Sequence, residues 1–139
     1  MALFSKKPKA VRLQNLDELK PLLQSGRPVL LDFFQMGCRS CQIMDGIVNE
    51  LAREYGESAH IVKVDLGRVP GAIQAFKVQA TPTFVLLGRP PVKKSKKRPV
   101  RDGPTTEGRI TSRWRTSGLV KKDQLQRVLE SNGAVRARP

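Results

Sequence analysis

Cysteine and histidine are scarce in this chain, with two cysteines and a single histidine among 139 residues, and that scarcity limits the chemistry open to it. A closed structural zinc site needs four Cys or His ligands. Cys38, Cys41 and the distant His60 cannot complete such a set within one chain, so no metal is expected. Acidic residues are also few, 12 against 26 Lys and Arg. Long apolar runs are missing as well. The basic opening Ala-Leu-Phe-Ser-Lys-Lys-Pro-Lys has no apolar stretch of signal-peptide length, and no other segment approaches a membrane span. No Gly-x-Gly-x-x-Gly occurs, so a bound flavin or dinucleotide is not expected and no cofactor is assigned. These absences point to a soluble, cytoplasmic, monomeric protein without membrane contact. In that compartment thiols are kept reduced, so two cysteines are more readily understood as reactive, or as metal-carrying between chains, than as a static staple.

Both cysteines sit in one stretch, where Val29–Phe34 runs toward Cys38-Arg-Ser-Cys41 and on into a helical pattern. The run is almost wholly apolar with one carboxylate, Asp32, in its middle, as in a strand covered on both faces. Asp32 is therefore expected to be buried. Beyond Arg39, Ile43, Ile47, Val48, Leu51 and Tyr55 recur at helical spacing up to Gly56, with Gly46 read as a kink or packing contact. Thiols at the first turn of a helix lie on one side and within reach of each other. The partial positive charge and free N–H groups of the helix start, with Arg39 adjacent, favour the thiolate at Cys38. Cys38 is thus the candidate attacking thiol and Cys41 the resolving one. Burial raises a carboxylate's pKa toward the range in which it accepts a proton from a thiol, which makes Asp32 a candidate base. The alternative is that Lys63 or a backbone amide satisfies it without a role in chemistry.

The remaining chain reads as alternating elements. Ala10–Leu13 is a short strand, and Asn15 with Glu18 three residues on forms a capping box opening a helix through Leu16, Leu19, Leu22 and Leu23 that Pro21 bends or shortens. His60–Asp65 is a strand, Pro70–Val78 a short helix, Thr83–Leu87 a strand, Arg109–Thr116 a half-exposed strand near an edge, and Lys121–Glu130 a final amphipathic helix. Strands alternating with helices define an α/β domain. The expected organisation is a basic flexible tail over 1–9, a domain over 10–133 with an inserted loop at 89–107, and a flexible tail over 134–139.

Charge is unevenly distributed. Residues 89–139 hold 15 Lys and Arg against 4 Asp and Glu, whereas 1–88 hold 11 against 8. Lys93, Lys94, Lys96, Lys97 and Arg98 form the densest run, in a segment with too few apolar residues to pack. Two readings stand: a solvated loop, or a docking loop for an acidic protein or nucleic acid. No aromatic residue is interleaved for base stacking, which favours the first.

Val-Leu-Leu-Asp32-Phe-Phe, Cys38-x-x-Cys41, Val-Lys63-Val-Asp65, Ala80-Thr-Pro82-Thr-Phe and Ser117-Gly118-Leu together resemble the thioredoxin family, over about 10–88 and 109–132. The resemblance implies a thioredoxin-like α/β fold, a central mixed β-sheet flanked by helices on both faces. It implies a thiol–disulfide oxidoreductase with protein disulfides as substrates and a separate reductase as electron donor. By position it gives Cys38 the nucleophile's role, Cys41 the resolving role, Asp32 the buried acid's and Lys63 that of its partner. Pro82 takes the place of the family's cis-proline, with Thr81 presenting backbone to an extended substrate and Gly37 and Gly118 beside it; without the family context Thr-Pro is an ordinary turn. Gly37 replaces the usual Trp, and Arg39-Ser40 replaces Gly-Pro, which implies a more oxidising couple. A thioredoxin-like binding module recruited through the basic loop, or a redox sensor, remain the alternatives.

Overall fold

The computed structural model describes residues 7–88 and 111–137. Its elements are β1 (Val11–Arg12), a 3-10 turn (Leu16–Glu18) leading into α1 (Leu19–Gln24), β2 (Val29–Phe34), α2 (Arg39–Tyr55), β3 (His60–Asp65), α3 (Ala72–Phe76), β4 (Thr83–Gly88), β5 (Thr111–Ser117) and α4 (Lys122–Ser131). The strands form one sheet in the order β1-β3-β2-β4-β5. β1 and β2 run parallel to β3, whereas β4 is antiparallel to β2 and β5 antiparallel to β4. The result is the expected thioredoxin fold, a mixed sheet with its apolar strand β2 at the centre.

Alternation along β2 decides where the chemistry sits. Val29, Leu31 and Phe33 join Val62, Val64, Val85 and Leu87 in a core that packs Leu19 of α1 and Ala72 of α3. Leu30 points the other way, into a core with Ile61, Phe84 and Leu86 covered by Met44, Val48 and Leu51 of α2 and Leu125 and Leu129 of α4. Side chains two apart on a strand share a face. Asp32 and Lys63 therefore face α2, and the β2–β3 register sets them directly opposite each other.

Several expectations change in detail. The α1 region divides into a 3-10 turn and a six-residue helix, and the capping box is incomplete: Asn15 accepts from the Asp17 amide at 2.9 Å, while Glu18 accepts from the Gln14 amide at 2.7 Å. Gly46 does not interrupt α2, and a Cβ there meets nothing within 4 Å, so it is not a packing contact. Gly56 ends α2 where the helical spacing stops, with a φ of −63° that does not itself require glycine. Its lack of a side chain instead makes room for Pro8, which a Cβ at Gly56 would strike. The segment after α4, expected as tail, docks in part on α2 and the turn after it. Ala134 is buried, the Val135 amide donates to Ser58 Oγ at 2.7 Å, and the Ala137 amide donates to the Glu54 carbonyl at 2.7 Å. Trp114 of the edge strand β5 packs half-buried against the α2/α4 core. The run Lys93, Lys94, Lys96, Lys97 and Arg98, like the whole of the proposed 89–107 insertion, lies outside the described residues.

Candidate active site

At the end of β2 the chain turns through Gln35–Gly37, with Gly37 at a φ of +82° that favours glycine. The Cys38 amide closes this turn on the Gln35 carbonyl at 3.3 Å. Cys38 is the N-cap residue of α2, and its Sγ accepts from the Cys41 amide at 3.1 Å. That N–H is one of the donors a helix start leaves without a backbone partner, here aimed at sulfur. Cys38 and Cys41 are joined as a disulfide, with Cys38 half-buried and Cys41 buried on the core side of the helix. Arg39 is the exposed first residue of α2, and Ser40 Oγ lies 3.7 Å from Cys38 Sγ.

Across from the helix start, the Thr81–Pro82 peptide is cis. Thr81 Oγ1 lies 3.5 Å from Cys38 Sγ and 3.5 Å from Gln35 Oε1, bringing that loop against the dithiol. The Pro82 carbonyl accepts from the Gly118 amide at 2.8 Å, which ties in the β5 end. Among the described residues, the Thr81 backbone N–H and C=O have no backbone partner. Gly37, Thr81, Pro82 and Gly118, grouped in the sequence reading, are thus assembled around Cys38 through the turn, the Thr81 hydroxyl and the Gly118 amide. Exposed Met36 and Leu119 stand next to Gly37 and Gly118 in the chain.

Beneath the disulfide, Asp32 is 4% exposed, and its Oδ1 has no hydrogen-bond partner. Asp32 and Cys41 line one cleft of about 270 Å³, together with Arg12, Phe34, Gln42 and Asp45. Burial is the main force on the Asp32 carboxyl and pushes it from 3.8 up to about 7; the Lys63 charge opposes this and the Asp45 charge adds to it. The lysine is not spent on Asp32. Lys63 Nζ pairs with Asp45 Oδ1 at 2.7 Å, so the reading in which Lys63 satisfies the buried acid gives way to one in which a second carboxylate competes for it. Asp45 escaped the sequence reading, although it lies four residues after Cys41 and so on the same helix face. Gln35, which holds the Thr81 hydroxyl, carried no signal in sequence.

The thioredoxin family profile matches residues 10–112. The chain belongs to the thioredoxin family. Among curated thioredoxins, chloroplastic thioredoxin Y2 of Arabidopsis thaliana is 34% identical over 80 residues, 57% of this chain and 48% of that protein. Thioredoxin-1 of Drosophila melanogaster is 36% identical over 59 residues, 42% of this chain and 55% of that one. This chain spans about half the length of the curated relatives it matches. Among solved structures, a mutant thioredoxin from Halobacterium salinarum superposes with a TM-score of 0.69 at 23% identity, covering 97% of this chain and 99% of that one. Malassezia sympodialis thioredoxin gives 0.67 at 16% identity, covering 95% and 98%. These likenesses establish the thioredoxin fold for this chain. Its Cys-Arg-Ser-Cys pair occupies the disulfide position just described.

Proposed function

We propose that this thioredoxin-family chain is a thiol–disulfide oxidoreductase that exchanges its dithiol with protein disulfides. The observation that carries this reading is Asp32, buried, unpartnered at Oδ1 and on one cleft with Cys41. In the reduced protein the Cys38 thiolate, supported by the Cys41 amide, attacks one sulfur of a substrate disulfide. A Cys38–substrate disulfide forms, and the substrate's other sulfur leaves as a thiolate that takes a proton. Asp32 then accepts the Cys41 proton, and Cys41 sulfur attacks Cys38 Sγ. The Cys38–Cys41 disulfide forms, the second substrate thiolate leaves, and two electrons have passed to the substrate. A carboxyl that titrates near 7 suits this exchange, because it takes up and returns a proton at neutral pH.

Substrate recognition in this reading falls to the free Thr81 backbone, which can add an extended segment by strand-type hydrogen bonds. Gly37, Pro82 and Gly118 leave that approach open, and exposed Met36 and Leu119 offer apolar contact. A separate reductase in a thiol-reducing compartment such as the cytoplasm returns electrons to the disulfide. Insulin reduction with dithiothreitol as donor tests the proposal. Catalysed turbidity that disappears in Cys38→Ser supports it, and equal rates for the two proteins exclude it.

A further inference from the structure

A cleft larger than the one at the dithiol lies beside the first strand. It measures about 480 Å³ and is lined by five cationic side chains from four parts of the chain: Lys7 and Lys9 before β1, Arg12 of β1, Arg53 of α2 and Lys63 of β3. Pro8, Ala10 and Asn49 complete the lining, so no carboxylate is among its walls. Among the described residues, Lys7, Lys9, Arg12 and Arg53 form no ion pair. Lys63 is paired with Asp45, which also receives a 3.4 Å hydrogen bond from Asn49.

Like charges converge here because packing holds them together. Pro8 sits where Gly56 lacks a side chain, Ala10 packs against the α2/α4 core, and the Leu13 amide donates to the Lys63 carbonyl at 3.0 Å. The segment carrying Lys7, Lys9 and Arg12 is thereby laid beside Arg53 and Lys63. The Arg12 guanidinium is further placed 5.8 Å from the Phe34 ring centre. Four cations on a shared concave wall, none ion-paired among the described residues, repel one another, and a multivalent anion relieves that repulsion while using their donors.

We infer that this cleft binds an oligophosphate chain, a small anion with two or more linked phosphate groups. The lysine point charges and the two guanidinium forks match linked phosphates better than one carboxylate, which a single cation suffices to neutralise. The lining offers no aromatic side chain to stack a base, so the phosphate chain and not a nucleoside is the recognised part. Arg12 lines this cleft and also the one beside Cys41 and Asp32, so the two clefts adjoin at its side chain.

The test is calorimetric titration of the full oxidised chain with sodium tripolyphosphate at low salt, repeated with ATP. Binding by the basic run of 93–98 must be distinguished from binding in the cleft, so two variants are compared: Lys9→Gln with Arg53→Gln, and Lys93→Gln with Lys94→Gln, Lys96→Gln and Lys97→Gln. Saturable 1:1 binding is expected, weakened about tenfold or more for each cleft cation removed and nearly unchanged in the quadruple variant. Full affinity in the cleft variant would overturn the assignment, whatever the quadruple variant does, as would the lack of saturable binding by the parent chain. Equal affinity for ATP and tripolyphosphate supports recognition of the phosphate chain; much tighter ATP binding refutes it in favour of a nucleoside site.

Discussion

Replacing Asp32 with Asn keeps the shape of the side chain and removes its charge. In the folded protein this carboxyl titrates near 7 against 3.8 as its ordinary value, because burial disfavours the charged form more than Lys63 restores it. The folded state therefore holds a proton that the unfolded state releases between about pH 4 and pH 7. Stability from this group is complete below 3.8 and is lost as pH rises through 7. A shift of about 3 units corresponds to about 4 kcal/mol, at 1.36 kcal/mol per unit, of which roughly 3 kcal/mol lies between pH 5 and pH 8. His60 is shifted down by burial, so its contribution changes in the opposite sense, and only the difference between the two proteins isolates Asp32. Urea unfolding of the oxidised proteins, in which the cysteines do not titrate, measures that difference. Relative to its parent, the Asp32→Asn protein should gain about 3 kcal/mol of stability between pH 5 and pH 8. A difference that stays constant from pH 5 to pH 8 would refute the raised titration of Asp32.

Other expectations follow from the same contacts. Lys63→Met removes the charge that lowers the Asp32 titration, so the pH profile of dithiol exchange should move to higher pH; an unmoved profile means Lys63 does not act on Asp32. Gly56→Ala places a methyl group against Pro8 and should lower stability by about 1–3 kcal/mol in thermal or urea unfolding, whereas no change would mean that Pro8 is not held there. Truncation after Gly133 removes the buried Ala134 and the bonds to Ser58 and Glu54, and calorimetry should register a loss of about 1–3 kcal/mol, with an unchanged midpoint counting against the docked end. Deletion of 90–106 should leave the unfolding midpoint nearly unchanged; a large drop would assign that segment a packing role.

What could be read from sequence followed period and polarity. The β2 run, the 3.6-residue spacing of α2 and the inward leucines of α4 specify their elements because each buries a regular apolar face. Asp32 was recognisable for the same reason, as a charge in a run that has no wet side. The Lys63–Asp45 pair was not, because it joins β3 to α2 through two polar residues that carry no periodic signal and depends on the strand register. The docked 134–137 segment escaped likewise: backbone donors to Ser58 and Glu54 hold it, and backbone groups are the same at every position. Gly56 looked like a helix stop, and only the folded chain reveals that the space is taken by Pro8, from before the first strand.

In the proposed exchange Cys38 attacks and Cys41 resolves, and trapping the mixed disulfide separates the two roles. Reduced Cys41→Ser and Cys38→Ser proteins are each mixed with a disulfide-bonded peptide and analysed by mass spectrometry. The Cys41→Ser protein is expected to accumulate a stable adduct at Cys38, and the Cys38→Ser protein to form little or none. Rapid adduct formation at Cys41 in the Cys38→Ser protein, with none at Cys38 in the other, would contradict the account.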